Sequence, residues 1–245
     1  MPSRYSGSAT RMTAHDTRDR LLDAVEKTIR SAASHEEISV RRVVALAGTN
    51  VSSISYHFGS LEGLGVACAE RVYKRVNALR LQELQAAIDR AAPAPPPLRD
   101  VIRALIGTSV CWSLDPESPY AVFHYLNHLT SLSGQREPQG RMVQDIDHHM
   151  IFVQYLGRAA PWFTETEIRW RLAAALGVRT QFTHQRDRAE VLTGEAFGTD
   201  PTHLLDELCD VIAAMFSRPD ERSRPRTGGL PAARRVTGHR FSNTV

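Results

Sequence analysis

Residues 49–57, "TNVSSISYH", concentrate hydrogen-bonding side chains within little more than two helical turns. Ser52, Ser53 and Ser55 carry hydroxyls that both donate and accept, Tyr56 and His57 reach further, and no acidic side chain interrupts the run. A face this small can enter a major groove about 12 Å wide and presents nothing that repels phosphate. Serine hydroxyls can address base edges there, while Tyr56 and His57 are long enough to reach the backbone. A solvated helix face would carry the same residues, so composition alone leaves both readings open. A second group lies further on: His124 and His128, four apart and therefore on one helix face, with Trp112, Phe123, Phe152 and Tyr155 on neighbouring segments and His148 and His149 nearby. Two histidines at that spacing could hold a metal or orient a carboxylate or hydroxyl, but no third ligand is matched to them, so no metal is expected. The aromatics suit either a core or the wall of a pocket. An apolar pocket built from them favours a lipophilic or aromatic small molecule over a sugar phosphate.

Helical periodicity recurs along the whole chain and strand alternation does not, which predicts an all-α protein. A first helix runs from about Thr17 into the thirties, with Leu21, Leu22, Val25 and Ile29 on one stripe. After a connection over 31–37, Ser39 caps a second helix whose apolar positions are Val40, Val43, Val44 and Ala47, and Gly48 ends it. Asn50 can cap a third over 51–58, packed through Val51, Ile54 and Phe58, so that three short helices with a tight break before the last form a helix-turn-helix module. The fourth helix, from Leu61 to about Arg90, is a rod of about 45 Å, stopped by "APAPPP". Helices follow over Leu98 to Trp112, Tyr120 to Leu132 and Arg141 to Arg158. "FTETEI" is a capping box of Thr164 and Glu167 opening a helix to about Phe182, and Asp200 with Pro201 opens a last one carrying Leu205, Leu208, Ile212 and Met215. Four regions result: a basic arm over 1–16, the helix-turn-helix domain over 17–65, a helical body over 66–217 and an arginine-rich, unstructured tail over 218–245.

Net charge is only +3 with a pI near 8.9, so any polyanion contact must come from placement of charge. No apolar run reaches the length of a membrane span and the start lacks a secretory apolar segment, which points to the cytoplasm. Cys68, Cys111 and Cys209 are odd in number and widely spaced, as expected of buried small residues and not of a disulfide framework. Glycine-rich phosphate loops, nucleophile elbows and HExxH helices are lacking, so neither an enzyme nor a cofactor is expected.

The stretch "ISVRRVVALAGTNVSSISYHFGSLEGL", residues 38–64, resembles the DNA-binding signature of the TetR family of bacterial transcriptional regulators. "LAG", the aromatic–His–aromatic "SYHFGS" and "EGL" stand in register with it. The resemblance implies that Ser39 caps the second helix near a phosphate and that Arg41 can reach a guanine. It also implies that Thr49, Val51, Ser52, Ser53 and Ser55 face the groove while Tyr56 and His57 hold phosphates. A homodimer on a palindromic operator is implied, acting as a repressor that a small-molecule effector releases. The effector would sit among Trp112, Phe123, His124, His128, Phe152 and Tyr155, and the helices from Thr164 and Asp200 would pair the protomers. Two positions depart from the pattern: Leu61 stands where a lysine is usual and Arg42 where an acidic residue is common. An effector-independent helical DNA-binding protein is the alternative, and a helical enzyme a more distant one.

Overall fold

The structure, a computed structural model, describes residues 14–133 and 147–219. All of the expected basic arm but residues 14–16, which open the first helix, nearly all of the arginine-rich tail and the expected helix start at Arg141 lie outside those residues. Among the described residues the regular elements are ten α-helices: α1 (Ala14–Ser31), α2 (Val40–Ala47), α3 (Val51–Phe58), α4 (Leu61–Ala91), α5 (Leu98–Leu114), α6 (Ala121–Ser133), α7 (Asp147–Ala159), α8 (Glu165–His184), α9 (Arg186–Thr193) and α10 (Thr202–Ala214), with a short 3-10 turn at His35–Glu37.

Local chemistry sets most of the boundaries. Ser39 Oγ accepts from the Arg42 backbone N–H at 3.4 Å and opens α2. Gly48 closes it at φ 60°, ψ 44°, a left-handed geometry that any residue with a Cβ adopts only at a cost. Asn50 Oδ1 then accepts from Ser53 N–H at 3.1 Å and opens α3, and Ser60 Oγ accepts from Gly63 N–H at 3.0 Å to open α4. In the capping box of α8, Thr164 Oγ1 accepts from Glu167 N–H at 3.3 Å and the Glu167 carboxylate accepts from Thr164 N–H at 2.8 Å. The packing stripe of α3 differs from expectation. Ile54 is buried and Phe58 half-buried, but Val51 is 53% exposed, because the first residue of an eight-residue helix lies past the surface that Ile54 reaches. The polar segment 186–193, between the last two expected helices, forms α9.

Two apolar cores share α4. The first joins Leu21, Leu22, Val25 and Ile29 of α1 and Ile54 of α3 to Leu64, Cys68, Ala69 and Val72 of α4 and to Val122, Tyr125 and Leu126 of α6. The second joins Leu84 of α4 to α5, α7, α8 and α10. The first core thus runs along α4 as far as Val72 and takes in α6. Arg71 bonds Asp23 at 2.7 Å and Glu26 at 2.9 Å, and Arg75 grips both oxygens of Glu26 at 3.1 Å, clamping α1 to the rod. Cys68 and Cys209 are fully buried, and burial pushes their thiols up to about 12 and about 11. Among the described residues no helix is long and apolar enough to cross a membrane.

Candidate functional site

The turn from α2 to α3 presents a polar surface of defined geometry. Ser52, Ser55 and Tyr56 are exposed along α3, Tyr56 to 81%, and Val51 joins them. His57 is half-buried, its ring edge-on to Tyr56 at 4.8 Å and tilted against Phe58 at 6.1 Å. Arg18 of α1 lies over the Phe58 ring at 5.2 Å, so the end of α3 is held by aromatic contacts that leave the Tyr56 ring to solvent. Thr49 and Ser53 hydroxyls bond one another at 2.7 Å, and Ser53 also donates to Asn50 at 3.2 Å. These two hydroxyls thus stiffen the turn, while Ser52 and Ser55 make no side-chain bond among the described residues. Arg41 is exposed and has no hydrogen bond or ion pair there either. Arg42, by contrast, pairs with Glu37 at 3.2 Å and donates to Ser31 at 3.0 Å, so the arginine that departs from the family pattern holds the approach to α2. Leu61 is half-buried against the first core.

A cavity of about 610 Å³ opens between α4, α5, α6, α7 and α8. Its walls carry Tyr73, Val76 and Arg80 from α4, Ser109 from α5, Phe123 and Leu126 from α6, His149 from α7, and Leu176, Arg179 and His184 from α8. Of the six side chains expected to line a pocket, Phe123 does so. Phe152 is fully buried in the second core, because its face of α7 turns inward and His149 faces the cavity instead. Tyr155 lines a separate shallow groove with the proline run at 93–96, and Trp112 packs on the first core with Arg75 over its ring at 5.9 Å. His124 and His128 lie on a different groove, between the head and α6, where His128 stacks on His35 at 4.0 Å. Among the described residues no group of three or more metal-ligating side chains is gathered.

Nor is the α4–α8 cavity as apolar as expected: two arginines and two histidines face it. Burial above all, then the positive charge of Arg179, pulls Arg80 down to about 9, which leaves it protonated near neutrality. Burial likewise pulls His149 down to about 3, helped by His148 and then the two arginines, and His184 down to about 4, helped by His124 and Arg179. Both imidazoles are neutral at pH 7. A signal for the arginines existed in the sequence. Arg80 continues the stripe of Val72 and Val76 at the next i+4 step, and Arg179 continues that of Leu172, Ala175 and Leu176, so each charge occupies a position where periodicity calls for an apolar residue.

A helix-turn-helix head fused through a long helix to a helical body with its own cavity is the build of a transcriptional regulator. Residues 103–215 match the family described as tetracyclin repressor-like, C-terminal domain. The fold is similar to that of a protein of Pseudomonas aeruginosa PAO1 assigned as a transcriptional regulator: 18% identity, 84% of this chain and 95% of that one, TM-score 0.54. A protein of Rhodococcus sp. RHA1 with the same assignment aligns over 83% and 97% at 23% identity and TM-score 0.53. The multidrug binding protein EbrR, in complex with imidazole, aligns over 84% and 98% at 17% identity and TM-score 0.51. At these identities the likeness is one of fold. No curated protein matches the chain. With the signature over 38–64 resembling the head and residues 103–215 matching the C-terminal domain, the chain is similar to the TetR family of transcriptional regulators in both its parts.

Proposed function

We propose that this protein is a homodimeric repressor that inserts α3 of each protomer into successive major grooves of a palindromic operator and lets go when a small molecule fills the α4–α8 cavity. The observation that carries this reading is the outward face of α3, where Val51, Ser52, Ser55 and Tyr56 are exposed and free of acidic neighbours. In this reading Ser39, Arg41, Thr49, Val51, Ser52, Ser53 and Ser55 line the DNA side of the head, and Tyr56 and His57 fix its register on phosphates. Thr49 and Ser53, being bonded to one another, act mainly by holding the turn in shape.

Dimerisation follows from the apolar side chains left in water on two helices of the body, Trp170 of α8 at 74% exposure and Val211 of α10 at 52%. A two-fold dimer engages neighbouring grooves only with its reading helices about 34–36 Å apart. Because α4 supplies both the head's core and a wall of the cavity, an occupant that prefers another α4 position must weaken DNA binding by linkage.

Mobility shift of the DNA upstream of the protein's own gene, with and without cell extract, tests the whole reading. Specific retardation that extract relieves is expected. Retardation of all DNA alike, unaffected by extract, would favour an effector-independent DNA-binding protein, and a chain that stays monomeric at micromolar concentration would refute the dimer.

A further inference from the structure

Arg80 is among the most deeply buried large side chains of the protein, 2% exposed, at the inner end of the cavity. Its Nη1 donates to Asn77 Oδ1 at 3.0 Å and its Nη2 to Ser109 Oγ at 2.6 Å, two neutral acceptors, while its Nε is buried with no partner among the described residues. Arg179, opposite it on α8, donates from Nη2 to Thr180 Oγ1 at 3.1 Å, and its Nε is buried and unpartnered too. Among the described residues the cavity lining contains no aspartate or glutamate. Four other half-buried arginines each face a carboxylate, Arg30 with Glu117, Arg71 with Asp23 and Glu26, Arg99 with Asp206 and Asp210 and Arg186 with Glu190, while Arg171 bonds the backbone carbonyls of Glu167 and Met215.

Two guanidinium charges taken out of water without a counter-charge are costly to the fold, and the cost is lifted when an anion arrives. No side chain of the described lining supplies a negative charge. His149 and His184 are neutral at pH 7, and burial pushes the Tyr120 hydroxyl up, so it remains a donor. Beyond the arginines the lining is mixed, with Asn127, Thr180 and Gln185 polar and one stretch of wall, Val76, Phe123, Leu126 and Leu176, apolar. A hydroxyl-rich body such as a sugar phosphate would leave its polar groups against these side chains, whereas a hydrocarbon or aryl body would not.

We propose that the cavity takes an organic acid, its carboxylate held between Arg80 and Arg179 and its apolar body packed against Phe123, Leu126 and Leu176. This rests on the reading of the cavity as the effector site and replaces the uncharged lipophilic ligand that sequence alone suggests with an acidic one. Bidentate guanidinium–carboxylate geometry supplies the specificity, and the apolar wall admits length or ring size within about 610 Å³.

The test uses the full chain and matched probes: decanoate and 2-naphthoate, their neutral amides, decylamine and inorganic phosphate, with thermal shift and calorimetry as readouts. At least one acid is expected to bind about tenfold or more tightly than its own amide. Arg179→Gln, nearer the surface, and Arg80→Met should each abolish that preference while leaving the weak amide binding unchanged. Should Arg80→Met fail to fold, Arg179→Gln decides alone. Acid and amide bound equally, preference for decylamine or phosphate, acid binding indifferent to the substitutions, or no acid bound at all would each overturn the proposal. Operator binding is followed separately by fluorescence anisotropy. Arginine-dependent acid binding that leaves DNA affinity unchanged would break the repressor reading and keep this one, and release of DNA by cell extract but by none of the acids would do the reverse.

Discussion

Replacing Gly48 by alanine puts a number on the turn that aims α3. The residue sits at φ 60°, ψ 44°, and an alanine held there costs about 1–2 kcal/mol, since its Cβ crowds the following carbonyl. That Cβ would also come within 2.5 Å of Arg20 Nη2, which now donates to the Gly48 carbonyl at 3.3 Å. Arg20 is flexible and this bond is long and exposed, so its displacement adds about 0.5 kcal/mol or less. The net loss of about 1–2.5 kcal/mol corresponds to a Tm about 2–10 °C lower for a chain of this size, read by circular dichroism. Gly48→Asn separates the two causes: asparagine displaces Arg20 as alanine does but tolerates the left-handed conformation, so it should recover more than half of the loss. Operator affinity should follow the same order, glycine, then asparagine, then alanine, because the strained turn re-aims α3. A Gly48→Ala protein with unchanged Tm, or an asparagine variant less stable than the alanine one, would refute the claim that backbone strain at this position holds α2 and α3 in register.

Arg41→Ala should weaken specific DNA binding by about 1–3 kcal/mol and leave nonspecific binding nearly intact, whereas equal losses on all sequences in a competition titration would make Arg41 a phosphate contact. Tyr56→Phe removes only an exposed hydroxyl, so Tm should hold within about 0.5 kcal/mol of stability while operator affinity drops by about 1.5–3 kcal/mol with no change in salt dependence; unaltered affinity by anisotropy would take Tyr56 off the DNA. Leu61→Lys supplies the phosphate contact this head lacks and should steepen the slope of log affinity against log salt by about 0.9, at a small cost in Tm for apolar packing lost from the first core. An unchanged slope rejects that role for position 61. His149 and His184, held at about 3 and about 4, stay neutral in the fold while the unfolded chain protonates them below about 6.5, so their effect is nil above that pH and destabilising as pH falls from 6.5 toward 4. The Tm lost between about pH 7 and pH 5 should shrink in His149→Gln and His184→Gln, and equal losses in parent and variants would contradict it.

What the sequence disclosed and what it hid divide along the range of the forces involved. Ser39, Asn50, Ser60 and Thr164 satisfy backbone donors within three residues of themselves, so the starts of α2, α3, α4 and α8 are local facts and legible. The head was legible for the same reason, since its three helices and two turns are contiguous. The cavity was not. Which face of α7 turns outward depends on packing against α5 and α8, and nothing local to Phe152, Tyr155 or His149 selects His149 for the wall. His124 and His128 share a face as their spacing says, yet that face meets His35 from the far side of the head, a contact separated by about ninety residues. Arg80 and Arg179 were visible as charges in apolar register, but a stripe with one polar break reads equally as a helix whose end has surfaced.

The shared core decides how a ligand could be felt at the DNA. Were the head hung from α4 by a linker near residue 65, a shift of the cavity wall would be lost in the joint. Instead Leu64, Cys68, Ala69 and Val72 of α4 are themselves the floor of the head, and the Glu26 clamp on Arg71 and Arg75 ties α1 to the next turn. Close-packed cores pass displacement on and do not absorb it. From Arg80 to Leu61 the helix spans about 29 Å, so a small tilt of α4 about the arginine becomes a larger displacement at Leu61, next to the reading helix. The two-fold axis of the proposed dimer applies that movement twice, in opposite directions. With half-sites fixed by the pitch of the duplex, both heads of such a dimer could not follow and stay seated, and an acid that drew Arg80 toward Arg179 would therefore compete with DNA without touching it.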